Sequence, residues 1–423
     1  MLVTPGRMMM PLRAGGAAAG DGRTLDLQFA ADGTLVPRVG PTPAFVNATT
    51  TNHWLGVSKA WNAGAANTPR FPYNPATNLP LGLHIISNAN NPLDYSRDMT
   101  QANWVKSNIT AAKDATGLDG VANSCSTLTA DAANGTCLQV LVTGNSYHGI
   151  SLWVKRKTGT GVVEFTDDGG TTWEELEDLS ASEFKMYTPL LPLSTKTSNP
   201  EFGFRIVTSG DEIEVDFVGA DVHGAVGVPT GPGGLIETVT STVIMGTDQV
   251  TITGTDFSDL YNTDEGTIVV EVDFIENLGS SAANSLFHQG VDHDLFAIGD
   301  TDSFVTNAIW SSCSAFRAGK LRSRIYAAGV SEWEHYANST PWQDNAAGQF
   351  KVAIGWDKPA STVTKVENGI ELDHETAVPN MPTGEDRLRI GRVTTSLNGG
   401  YIKQFVYYPT YKGRSEILAL GTL

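Results

Sequence analysis

The chain has 423 residues, 40% hydrophobic and only 17% charged, enough apolar material for two or three packed domains and too much for a disordered chain. Its 28 basic and 46 acidic residues leave a formal charge of −18, which repels phosphate backbones and anionic headgroups, so neither nucleic acid nor a membrane surface is expected as a partner. No stretch approaches the roughly 20 apolar residues needed to span a bilayer, so membrane insertion is not expected either.

Residues 1–24 form a Gly/Ala-rich arm interrupted by Pro5, Arg7, Pro11 and Arg13, which argues against a signal peptide and for a mobile arm. "LDLQFAADGTLVPRV" then offers one short strand. Residues 67–83, "NTPRFPYNPATNLPLGL", hold Pro69, Pro72, Pro75 and Pro80. Each proline fixes φ near about −65° and removes a donor, so an ordered, extended strap is expected rather than a helix or a central strand. Phe71, Tyr73 and Leu83 are the side chains predicted to pin it, with Arg70, against a sandwich or a neighbouring subunit. Arm and Pro-rich leader together span residues 1–85.

Residues 86–226 read as a first β-sandwich. "CLQVLVTG", "HGISLWVKRKTG", "GVVEFTDDGG", "EFGFRIVTSG" and "EIEVDFVGADVHG" are short strand patterns closed by glycine turns. In "EIEVDFV", Ile213, Val215 and Phe217 are expected on one face, with Glu212, Glu214 and Asp216 on the other. A Gly/Pro linker at 227–234 separates this unit from a second sandwich at 235–423. There "QVTITGTDF", "GTIVVEVDFI", "SLFHQG", "DLFAIGD", "QFKVAIGWDK", "STVTKVENG", "RLRIGRV" and "GGYIKQFVYYP" are strand candidates. Only "GRSEILALGTL" reads as helix, with Ser415 as its cap and Ile417, Leu418 and Leu420 as its apolar side.

Few residues suggest chemistry. Three cysteines make no disulfide framework: Cys125 and Cys137 could pair across a hairpin, but buried reduced thiols are the preferred reading, and no Cys-x-x-Cys occurs. "TDDGGTTW" fits the Asp-box found repeatedly in sialidases, through Asp168, Gly170, Thr172 and Trp173. A single copy reads as a structural turn. Acidic pairs such as Glu174 with Glu175, or Asp264 with Glu265, sit in polar turns and give little support to glycoside hydrolysis. Asp292, His293, Asp294, Asp300 and Asp302 offer hard ligands but lack EF-hand spacing, so no metal and no cofactor are expected. Trp310, Trp333, Trp342, Tyr326 and Tyr336 fall in apparent loops of the second domain. They read first as core or interface residues, and second as a sugar platform of Trp310, Trp333, Tyr336 and Trp342.

The order "LDLQF", "NTPRFPYNPATNLPLGL" and "DYSRDMTQANWVKSN" resembles the leader and first module of phage virion proteins of the tail-fibre, spike and head-appendage type. The residues that carry the match are Asn67, Pro69, Arg70, Phe71, Tyr73, Pro75, Gly82, Leu83, Tyr95, Ser96 and Trp104. "GTIVVEVDF", "KVAIGWD" with "VENGIEL", and "LNGGYIKQFVYYPTYKGRSEILAL" are similar to the concanavalin A-like (laminin G-like) domains that close such proteins. The segment "GPTPAFVNATTTNHW" departs from the family. The resemblance implies an all-β chain, an extended arm followed by two jelly-roll sandwiches with the second concanavalin A-like. It implies a non-enzymatic part of a virion, a short surface appendage or decoration protein. Capsid, neck or tail proteins would be its partners, a homotrimer its assembly and host-surface glycans a possible contact. The competing readings are a glycan-binding adhesin module and, behind it, a glycosidase.

Overall fold

Short β-branched and aromatic runs closed by Gly and Asn turns carry 49% of the chain into strands, paired antiparallel. The computed structural model describes residues 20–47, 52–56, 61–73, 79–85, 90–142, 144, 147–187, 198–223, 235–240, 243–244, 248–274, 292–300, 306–314, 320–336, 348–391 and 400–423. The protein is all-β and built from packed sandwiches, as the strand pattern predicts. The arm at 1–19, the linker at 227–234 and the strand candidate "SLFHQG" lie outside the described residues.

The first sandwich has two five-stranded sheets. One runs Glu174–Glu175, Val163–Thr166, Glu201–Ile206, Gly135–Val140, Val105–Ser107; the other runs Lys185–Tyr187, Tyr147–Thr158, Glu212–His223, Cys125–Ala130, Ile109–Ala115. Phe165, Phe202, Phe204 and Ile206 face Leu128, Leu152, Val154, Ile213 and Val215 across the core. Each such side chain contributes about 1.5–3 kcal/mol on burial. Cys125 and Cys137 are both buried and free, on opposite sheets, and burial pushes each thiol up to about 12.

Phe217 corrects the expected alternation. A bulge against Ser151 and Trp153 inserts one extra residue, and Phe217 takes φ of 45°. Ile213 and Val215 stay in the core, but Phe217 leaves it to pack on Trp61, and Val218 and Ala220 resume the inward positions. Asp216, beside it, is fully buried on Arg97, whose guanidinium also contacts Asp119 at 2.7 Å and stacks 4.1 Å above the Phe217 ring.

The second sandwich pairs two seven-stranded sheets. The back sheet runs Leu25–Leu27, Gly400–Tyr408, Glu265–Phe274, Gly348–Asp357, Thr362–Glu367, Ile370–Glu375, with Leu83–His84 also on Gly400–Tyr408. The front sheet runs Ala44–Val46, Gln249–Thr253, Arg387–Ile390, Asp292–Gly299, Ala308–Ser314, Lys320–Ala327, Val330–Tyr336. The leader is therefore no separate unit, which corrects the division at residue 85. It supplies strands to both sheets, and Leu25, Leu27, Phe29, Phe45, Phe71, Leu83 and Ile85 join the same core as Ile268, Trp356 and Phe405. The first sandwich is an insertion into the second. Entry and exit lie side by side: Asn91 donates to the carbonyls of Val218 and Ile236, while the Ser96 and Thr238 backbones bond reciprocally through each other's hydroxyls.

The proline-rich strap also differs from expectation. It doubles back instead of running extended, with Arg70 bridged to His84 and Tyr73 to Pro80, and Leu81 N–H donating to the Pro72 carbonyl at 2.8 Å. Prolines without donors suit such a sparse ladder.

Three short helices are described in this domain; the first, Phe29–Asp32, buries Phe29 in the shared core. Gly254–Leu260, not anticipated, buries Phe257 and Leu260. Arg414–Leu420 lies over the outer face of the back sheet through Ile417. Its cap is Gly413 at φ 73°, not Ser415, and no side chain caps it. Among the described residues, no helix is long and apolar enough to cross a membrane.

Candidate functional site

The stretch that reads as aromatic loops is three consecutive strands at one side of the front sheet, Ala308–Ser314, Lys320–Ala327 and Val330–Tyr336. Alternate residues of each strand point away from the core. Cross-strand register then builds three rows on the outer face: Asp294, Ser312, Arg322, Tyr336; Arg389, Ala297, Trp310, Arg324, Glu334; and Arg387, Gly299, Ala308, Tyr326. Four arginines thus share one face of a chain whose charge is −18.

The middle of this face is an arginine–aromatic stack. Trp310 lies nearly parallel to Tyr326, their centroids 6.3 Å apart. The Arg322 guanidinium sits 5.6 Å from the Trp310 ring and 5.3 Å from that of Tyr336, while Arg324 sits 5.5 Å from Trp310 and 5.6 Å from Tyr326. Asp294 accepts from Trp310 Nε1 at 3.0 Å and fixes the indole. Glu334 Oε1 accepts from Arg322 Nε and Arg324 Nη2, both at 2.7 Å. Arg324 Nε and Ser312 Oγ are buried on this face with no hydrogen-bond partner. Trp310 is only 6% exposed and covers the buried Ala297 and Ala308, so what the face offers to a ligand is the half-buried Tyr326 and Tyr336 rings and the Arg324 and Glu334 side chains around it.

Of the predicted platform, Trp310 and Tyr336 are brought together here. Trp333 is not: it points into the core, 7% exposed, with Nε1 donating to Asp373 Oδ2 at 2.8 Å. A one-residue offset along a strand sends it to the opposite face. Trp342 lies outside the described residues. Tyr326, one of the five aromatics weighed from the sequence, joins Trp310 and Tyr336; Arg322, Arg324 and Glu334 are not singled out in the sequence, although "LRSRIY" and "EWEHY" carry the period-two signal that places them together.

The leader residues are internal. Arg70, 2% exposed, pairs with the buried Asp248, which also accepts from Asn47. Phe71 and Leu83 are core residues, and the Tyr73 hydroxyl lies against Gly33. Of the two surfaces expected to hold them, the protein's own sandwich is the one found.

Elsewhere, Asp168 of the Asp-box accepts from the Thr172 amide at 2.9 Å and its hydroxyl at 2.8 Å. Gly169 and Gly170 take positive φ, and Arg205 lies 4.3 Å over Trp173. All three contacts lie within one turn and its neighbouring strand. Desolvation pushes the adjacent Asp167 up to about 6, helped by Asp168. Among the described residues, no group of three His, Cys, Asp or Glu is placed to hold a metal ion. Asp294 is taken by Trp310, and Asp300 accepts from Asn307 at 2.8 Å beyond the far end of the strand.

No family model matches the chain, and no curated protein does. Solved structures similar to part of it include the Ruminococcus gnavus IT-sialidase CBM40 bound to alpha2,6 sialyllactose, 15% identical, with a TM-score of 0.31, covering 39% of this chain and 87% of that one. NanB sialidase from Streptococcus pneumoniae is 17% identical, TM-score 0.30, over 40% of this chain and 26% of its own. The binding domain of Paraclostridial Mosquitocidal Protein 1 is 14% identical, TM-score 0.30, over 41% and 43%.

Proposed function

We propose that this protein is a surface module of a phage particle whose C-terminal sandwich contacts host glycans through the outer face of its front sheet. The observation that carries the reading is the stack of Trp310, Tyr326 and Tyr336 with Arg322 and Arg324 on one sheet face. The half-buried Tyr326 and Tyr336 rings fit the apolar face of a sugar, the buried Trp310 backs them, and guanidinium forks fit the sugar's oxygens. The virion setting, the capsid, neck or tail partners and the homotrimer are supported by the likeness of the leader and module sequences to phage appendage proteins.

The test is binding of the intact protein to an array of bacterial-surface glycans, with Tyr336→Ala and Arg324→Gln as variants. Each should weaken the best glycan about tenfold, the loss of one cation–π or charge-assisted contact, while keeping a cooperative melting transition. An array with no bound glycan sinks the glycan half of the proposal. Sedimentation as a monomer at micromolar concentration sinks the trimer.

A further inference from the structure

Resting on the glycan reading above, we propose that the front face selects a sugar bearing a carboxylate, and that Glu334 holds the carboxylate position until such a sugar displaces it. A single oxygen of Glu334 bridges two guanidinium groups, Nε of Arg322 and Nη2 of Arg324. The two arginines are the fixed members of this trio. Their side chains are only 8% and 19% exposed and stack on Trp310, Tyr336 and Tyr326, and Arg324 Nη1 donates to the Tyr326 hydroxyl at 2.5 Å.

Glu334 is the movable member. It lies on the outermost strand of the sheet, 29% exposed, and can turn into solvent without breaking a core contact. What it would vacate is a guanidinium pair already arranged around a planar carboxylate. Arg324 Nε and Ser312 Oγ lie buried on the same face without hydrogen-bond partners. A neutral sugar leaves Glu334 in place and gains only the rings. The net charge of −18 offers no general attraction for acidic sugars, so any preference for them must arise locally.

The experiment is calorimetric titration of the full chain with oligogalacturonate, hyaluronan oligosaccharide and sialyllactose, each beside its carboxyl-reduced neutral twin, plus a sulfated galactan oligosaccharide. At least one acidic sugar should bind about tenfold more tightly than its twin. E334Q should tighten that sugar several-fold and leave the twin unchanged, a gain that misfolding cannot imitate. Arg324→Gln should abolish the preference. If acidic sugars and their twins bind alike and E334Q changes neither, the carboxylate proposal is overturned while the glycan reading stands. Preference for the sulfated sugar over every carboxylate overturns it too. If no sugar binds, both fall together.

Discussion

Both oxygens of Glu367 are buried without a hydrogen-bond partner, on the inner face of the back sheet opposite Val352. Lys365, Asp373, Trp333 and His335 share that end of the core. Desolvation outweighs the pull of Lys365 and pushes the Glu367 acid up to about 7. Protonation therefore favours the folded state. The contribution is fully present below the ordinary glutamate range and is lost as pH rises towards 7, by about 3 kcal/mol in all. Glu367→Gln should raise the melting temperature at pH 8, leave it nearly unchanged at pH 4, and flatten the pH dependence between. The reverse pattern would show that the carboxylate is paired. Asp248 gives the opposite case. Asp248→Ala strands the Arg70 guanidinium in the core and should cost about 3–5 kcal/mol in urea unfolding. Arg70 was legible as important in the leader motif, but its partner lies 178 residues away, beyond what local spacing reveals.

At the scale of elements, strands with β-branched inward positions were legible, among them Glu265–Phe274 and Gly348–Asp357, where apolar alternation is dense. Of the front sheet, Ala308–Ser314, Lys320–Ala327 and Val330–Tyr336 read as loops because arginine, serine and glutamate fill many of their outward positions, and a polar alternation resembles a loop when scanned for hydrophobicity. Trp333 and Tyr336 were assigned to one surface since both are aromatic; on a strand an odd separation puts them on opposite faces. The strap shows the same limit. Its order follows from four prolines, but its fold-back is fixed by tertiary contact. Gly82 takes φ of 129°, and a Cβ there would meet the Ile402 carbonyl oxygen at 2.5 Å. Gly82→Ala should therefore destabilise the sandwich by at least about 2 kcal/mol and expose the amides of Leu83 and His84 to hydrogen exchange. Unchanged protection would mean the strap is not built into the sheet.

At the scale of the molecule, two sandwiches could be read from strand spacing, but not that one interrupts the other. Nothing local in "LDLQF" announces that Leu25 will pair with Tyr407. The arrangement predicts how the chain can be cut. A fragment of residues 235–423 lacks three strands of its two seven-stranded sheets and much of a shared core, and should be unfolded by near-ultraviolet circular dichroism. The same fragment with residues 20–91 supplied in trans should regain a folded signal; a folded 235–423 on its own would contradict the insertion. The glycan face belongs to this composite sandwich, on its front sheet. The most direct test of that face is a crystal structure of the protein with the tightest-binding glycan from the array. Sugar density against Tyr326, Tyr336 and the Arg322–Arg324 pair is the predicted result. Density seated on the first sandwich, or on the loops with this face bare, would contradict it.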